Sequence, residues 1–316
     1  MLTVLEVTIP VFALVFCGFA GARFKMLPDR AVEGINAFVF WFALPAMLFR
    51  VIGLQSISEL IEPHFILGWA CASLSVFFSI AWFSMAGGVD KTLRSSAQST
   101  AFGLSAAHGN VGYLGLALIG ELGKQWLPTA ALTVLCDILV LIPLSIILLE
   151  LQTRTGPANA TRLARIVLLG LVKNPMVMAI LVGLIFSIYR FPVPSAIDNF
   201  TRMLGNAAGP CALFCIGASL GGQRVAVDRA VWVLSAAKLI LHPLMAALYL
   251  FVIFRVSPEN AAIGVLLASL PCATGCFIIS QRYGMQTRSI SATILLGTFV
   301  AMITVTATIW LMGIRV

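Results

Sequence analysis

Charge is the scarcest property of this sequence. Of its 316 residues only 10% are Asp, Glu, Lys or Arg, and 60% are hydrophobic, whereas soluble domains carry about 25% charged residues. A water-exposed core of this size cannot bury so much apolar surface. An ordinary soluble protein is therefore excluded, and lipid is the solvent that fits. Polar linkers are nearly missing as well. The one substantial stretch, residues 151–165 with Arg154, Gly156, Pro157, Asn159, Arg162 and Arg165, divides the chain nearly in half. No P-loop or HExxH zinc motif occurs, and no segment is read as a serine-nucleophile elbow. Without a nucleotide domain an ATP-driven pump is not expected. The expectation is a protein that is not an enzyme and takes no cofactor and no metal. A basic leader is missing too: the apolar run Met1–Gly21 is followed, not preceded, by Arg23, Lys25 and Arg30. That order fits a first span with its N-terminus outside better than a cleaved signal.

The formal charge of +8 would suggest nucleic acid in a soluble protein. Here the basic residues lie between apolar runs and read as topology signals, so no nucleic-acid partner is expected. The seven cysteines, Cys17, Cys71, Cys136, Cys211, Cys215, Cys272 and Cys276, all fall inside apolar segments. None forms a CxxC pair, and they read as small packing residues.

A helix needs about 20 apolar residues to cross the hydrocarbon core. Ten spans are predicted, near 2–22, 31–52, 63–86, 95–120, 127–149, 167–189, 197–220, 230–254, 259–281 and 289–312. Alternate loops on one side hold 13 Lys and Arg against 6 on the other, with Lys238 inside a span. The positive-inside rule puts the richer set in the cytoplasm and both termini in the periplasm of a bacterial inner membrane. The two halves echo one another. Pro10 and Gly18 are eight residues apart, as are Pro175 and Gly183, and Pro10 to Pro45 repeats as Pro175 to Pro210, 35 residues each. Leu27-Pro28 answers Val193-Pro194, and Gly112 answers Gly275. The expected fold is thus an all-α membrane protein of two five-helix repeats, residues 1–155 and 156–316. Five is odd, so the second copy is inverted, as in many secondary transporters.

Two spans carry interruptions. The fourth contains Ala107-His108-Gly109-Asn110-Val111-Gly112-Tyr113-Leu114-Gly115, too rich in glycine for a sturdy helix. The ninth contains Ser269-Leu270-Pro271-Cys272-Ala273-Thr274-Gly275, where proline removes a backbone donor. Freed backbone groups in lipid need partners in protein, water or ligand, and matched broken helices point to a transporter's binding site. The half-helix N-termini would favour a carboxylate, with Asn110 adding an amide and Thr274 a hydroxyl. The alternative is two kinked helices that pack closely through glycine.

Asp137 and Lys238 each lie about 15 Å deep at 1.5 Å per residue. A charge there is costly and rarely idle. Three readings stand: a structural ion pair, a role for one of them toward substrate or proton, or separate water-filled cavities. His108 and His242 read either as buried neutral histidines or, for His108 beside the break, as a substrate or proton group. Glu6, Asp198 and Arg202 are expected at headgroups or water.

These segments resemble the auxin efflux carrier family, which includes plant PIN-FORMED proteins and bacterial malonate-transporter-like members. The resemblance rests on Gly109-Asn110-Val111-Gly112-Tyr113-Leu114-Gly115, on Leu270-Pro271 through Gln281-Arg282-Tyr283-Gly284, on Lys173-Asn174-Pro175, and on Lys238-Leu239-Ile240-Leu241-His242-Pro243. It implies a scaffold of spans 1, 2, 6 and 7, often dimeric, and a mobile domain of spans 3–5 and 8–10. Spans four and nine would cross at their breaks. Substrate would sit beside the crossing near His108, Asn110, Gly112, Tyr113, Pro271, Thr274 and Gly275. The implied substrates are small organic anions such as dicarboxylates, moved by alternating access. A channel-like facilitator and a ligand-binding membrane sensor are the alternatives.

Overall fold

The computed structural model describes residues 2–28, 30–55, 62–153, 160–221 and 227–314. Among them the regular structure is entirely helical. The first half holds α1 (Leu2–Arg23), α2 (Ala31–Phe38), α3 (Leu44–Gly53), α4 (Pro63–Met85), α5 (Ser96–Ala107), α6 (Leu116–Leu122), α7 (Leu127–Cys136) and α8 (Ile142–Thr153). The second half holds α9 (Ala160–Val172), α10 (Pro175–Tyr189), α11 (Ser195–Gly221), α12 (Arg229–Ala236), α13 (His242–Ala247), α14 (Pro258–Ala268), α15 (Thr274–Arg282) and α16 (Arg288–Leu311). Wide π turns join several pieces into longer rods: Val39–Ala43, Val111–Gly115, Asp137–Leu141, Ala237–Leu241 and Leu248–Ile253.

Local chemistry sets the helix starts. Pro63, Pro175 and Pro258 open α4, α10 and α14, where the missing N–H costs nothing. Ser95 caps α5 by accepting from the Gln98 N–H, and Asp228 caps α12 by accepting from Val231.

Six stretches are long and apolar enough to cross a membrane: Ala31–Gly53, Pro63–Met85, Lys124–Thr153, Ser195–Gly221, Arg229–Ile253 and Arg288–Leu311. A seventh arises if the pair Thr161–Val172 and Pro175–Tyr189, bent by 73°, counts as one. This is fewer than the ten spans expected. The fourth and ninth stretches are divided at their breaks, and Ile9–Arg23 and Val111–Leu122 are short. The expected straight span at 167–189 is corrected to a bent pair. Its cause is local: proline disfavours a helical conformation at Asn174, whose side chain instead accepts from the Met176 and Val177 N–H groups and starts α10 afresh. The expected repeat boundary at 155/156 lies outside the described residues, as do Arg154, Gly156, Pro157 and Asn159.

The outer surface is apolar, with Phe16, Trp41, Trp82, Trp232, Ile303 and Trp310 all more than half exposed. Such a girdle belongs in lipid. Inside, glycines bring helices into backbone contact. A Cβ on Gly18 of α1 would lie 1.9 Å from the Phe214 carbonyl oxygen of α11, and one on Gly217 of α11 would lie 1.7 Å from that of Val15. Gly53 of α3 and Gly183 of α10 meet in the same manner, at 3.2–3.3 Å. Elsewhere α4 meets α5 where Gly103 abuts the Phe77 carbonyl, and α14 meets the turn at Leu248–Ile253 where Gly264 abuts Leu250.

Candidate functional site: two broken helices and a cavity

The two interruptions meet. Gly109 and Cys272 pair as a single antiparallel bridge. The Asn110 N–H donates to the Pro271 carbonyl at 2.8 Å, and the Ala273 N–H donates to the His108 carbonyl at 3.1 Å. Backbone groups released by the breaks thus satisfy one another across the junction, as buried polar groups must.

Beside this junction lies a cavity of about 520 Å³ whose wall includes Asn110, Tyr113, Thr274, Asn36, Phe40 and Thr298. Asn110 is only 6% exposed, and among the described residues its side-chain amide makes no hydrogen bond. Thr274 is the first residue of α15, so a helix N-terminus opens onto the cavity. Of the other expected residues, Pro271 and Gly275 sit in the junction and at the start of α15. Gly112 lies in the turn after it, where an added Cβ would meet only Met176 Sδ at 4.0 Å. A second cavity, also about 520 Å³, is lined by Arg50, Ala117, Glu121, Lys124, Arg202 and Pro210. It lies toward the opposite ends of the same helices.

Asp137 and Lys238 are not an ion pair with each other. Asp137, 2% exposed, accepts from Trp69 Nε1 at 2.9 Å and contacts His108 Nδ1 at 2.9 Å. Lys238, 1% exposed, donates to the Ala268 carbonyl at 2.6 Å and to His242 Nδ1 at 3.0 Å. Each charge stands at a π turn and reaches a different broken helix. The ammonium caps the C-terminal end of α14, where a cation is favourable; the carboxylate holds the histidine that ends α5. None of Asp137, Lys238 and His108 lines the cavity. Lys238 lies behind Gly109, whose added Cβ would be 3.2 Å from Nζ. Sequence reading missed Trp69 and Ser73, which link these groups: the Trp69 ring packs on His242 with centroids 5.4 Å apart, and Ser73 Oγ lies 3.2 Å from His242 Nε2. Both sit in an unbroken apolar run that gives no local signal.

Two smaller expectations are amended. Asp198 does not face water alone but pairs with Arg50 of α3, which also donates to the Asp198 carbonyl at 2.7 Å. Gly217-Ala218-Ser219-Leu220-Gly221 does spell G-x-S-x-G, but it runs within α11 and uses Gly217 for packing. A nucleophile elbow needs a strand-to-helix turn. The side chain of Glu6 lies outside the described residues.

A chain with this apolar exterior and two broken helices joined in its interior has the build of a membrane transport protein. It belongs to the membrane transport protein family, also called the auxin efflux carrier family, whose model matches residues 3–310. It is 30% identical over 98% of its length to a Rhizobium meliloti (strain 1021) protein named "Putative malonate transporter", 96% of which is covered. It is 25% identical to the Escherichia coli (strain K12) "Uncharacterized transporter YfdV", over 96% of this chain and 95% of that one. It is also 26% identical to the Mus musculus "Lysosomal cholesterol signaling protein", over 95% of this chain but 36% of that protein.

Proposed function

We propose that this protein is a secondary transporter, not an enzyme, and that it carries small organic anions, dicarboxylates such as malonate among them, by alternating access. The observation that carries the reading is the unpartnered amide of Asn110, buried beside a helix N-terminus in a cavity at the junction of two broken helices. A carboxylate is the ligand such a site suits: the amide N–H and the Thr274 hydroxyl donate to it, and the helix terminus favours its charge. The name of the Rhizobium relative supports the substrate class.

In this reading the ten apolar stretches form two inverted five-helix repeats. Glycine contacts support that symmetry. Span 1 meets span 7 through Gly18 and Gly217, and span 6 meets span 2 through Gly183 and Gly53, which are the same two contacts under exchange of the halves. Spans 1, 2, 6 and 7 then form the scaffold and a homodimer surface. Spans 3–5 and 8–10 carry the junction past it, serving first one cavity and then the other. The protein sits among inner-membrane lipids with both termini periplasmic.

The test is a thermal-shift screen of purified protein against small mono- and dicarboxylates, repeated with Asn110→Leu. Leucine has similar volume and neither donor nor acceptor. The expected result is a shift with malonate or a near relative that Asn110→Leu abolishes, together with transport, while the variant stays folded and inserted. Unchanged affinity and full transport in Asn110→Leu would remove the site. A sensor that binds without moving its ligand is favoured by one observation, the likeness to the mouse signaling protein; it predicts the same shifts with no flux.

A further inference from the structure

Behind the junction, one imidazole nitrogen of the buried network makes no hydrogen bond among the described residues. A charged ammonium has only donors, so His242 Nδ1, 3.0 Å from Lys238 Nζ, presents a lone pair. The His242 proton is then on Nε2, toward Ser73 Oγ. The Asp137 carboxylate accepts from Trp69 on Oδ1 and from His108 Nδ1 on Oδ2. His108 therefore carries its first proton on Nδ1, and Nε2 is the ring atom left without a partner among the described residues. A Cβ built on Gly275 would lie 3.9 Å from that Nε2. Gly275, near the start of α15, lies on that side, next to Thr274 in the cavity wall.

Charge balance gives this vacancy a use. Asp137 and Lys238 sum to zero. A carboxylate arriving alone adds a negative charge in a water-poor interior, and the helix terminus offsets about half of it. Malonate brings two carboxylates, and a proton on His108 offsets one charge more.

Resting on the carboxylate reading above, we propose that His108 Nε2 takes up one proton as the carboxylate binds, so that anion and proton are carried together. An N–H bond forms on Nε2 with a proton taken from water, and no bond of the ligand breaks. The imidazolium donates through Nδ1 to Asp137 and presents Nε2–H toward the start of α15. The other titratable groups around it are Lys238 on the turn after α12, His242 on α13, and Cys272 and Cys276 at the second break and on α15; α4 presents Trp69. Lys238 and His242 are engaged with each other. The sign is defined: coupled uptake makes the apparent affinity rise as pH falls.

The test is titration calorimetry of the full chain in detergent, with malonate as probe, in buffers of differing ionisation heat. The expected count is about one proton bound per malonate in the wild type and about none in His108→Gln. In parallel, wild-type affinity falls as pH rises, and His108→Gln shows a flat profile whatever its affinity. Malonate binding by the wild type with no proton uptake overturns the coupling and leaves the carboxylate reading standing; so does uptake unchanged in His108→Gln. If His108→Gln fails to fold, a wild-type count of zero still overturns the coupling. No binding by the wild type at all removes the carboxylate reading, and this inference with it.

Discussion

Lys238 holds its ammonium against two neutral acceptors, the Ala268 carbonyl and His242 Nδ1, with no carboxylate paired to it among the described residues. Its work is structural on this geometry: it closes the end of a half-helix that lipid cannot solvate. Lys238→Met strands both acceptors, and a buried unsatisfied group costs about 1–3 kcal/mol. A lower unfolding temperature in detergent is expected even without ligand. An unchanged unfolding temperature combined with lost malonate affinity would instead place the ammonium at the ligand. Asp137 has the complementary task. It receives the Trp69 N–H and fixes which nitrogen of His108 is protonated, as carboxylates do for functional histidines elsewhere.

At the scale of elements, the closest packing is between α1 and α11. Gly217→Ala would drive a methyl to within 1.7 Å of the Val15 carbonyl oxygen, and Gly221 crowds Phe19 in the same way one turn later. Overpacking of this kind costs about 1–3 kcal/mol or more. Gly120→Ala in α6 is the control, because an added Cβ there meets nothing within 4 Å. Thermal unfolding should separate the two clearly; equal melting temperatures would mean that α1 and α11 do not pack this tightly in the membrane. The same elements show what the sequence can disclose. Hydropathy located nearly every helix, and the glycine, proline and asparagine of the breaks marked the junction, since both signals are local. The 73° bend before α10 was also written locally, in Asn174-Pro175, but an apolar count across 167–189 smooths over it. The partners of Asp137 and Lys238 were not legible. Equal depth says nothing about rotation around a helix axis, and π turns at Asp137–Leu141 and Ala237–Leu241 change that rotation.

At the scale of the whole molecule, two cavities of about 520 Å³ lie toward opposite ends of the same helices, with the junction of Gly109 and Cys272 beside the first. A carrier has to expose one site to each side in turn; a channel exposes both together, and a sensor moves nothing. Counterflow separates these most directly. Proteoliposomes loaded with unlabelled malonate are diluted into a trace of labelled malonate, and internal label is followed over time. Alternating access predicts a transient accumulation of label above its external concentration, lost in Asn110→Leu. Label that merely rises to equality, or does not enter, would contradict it.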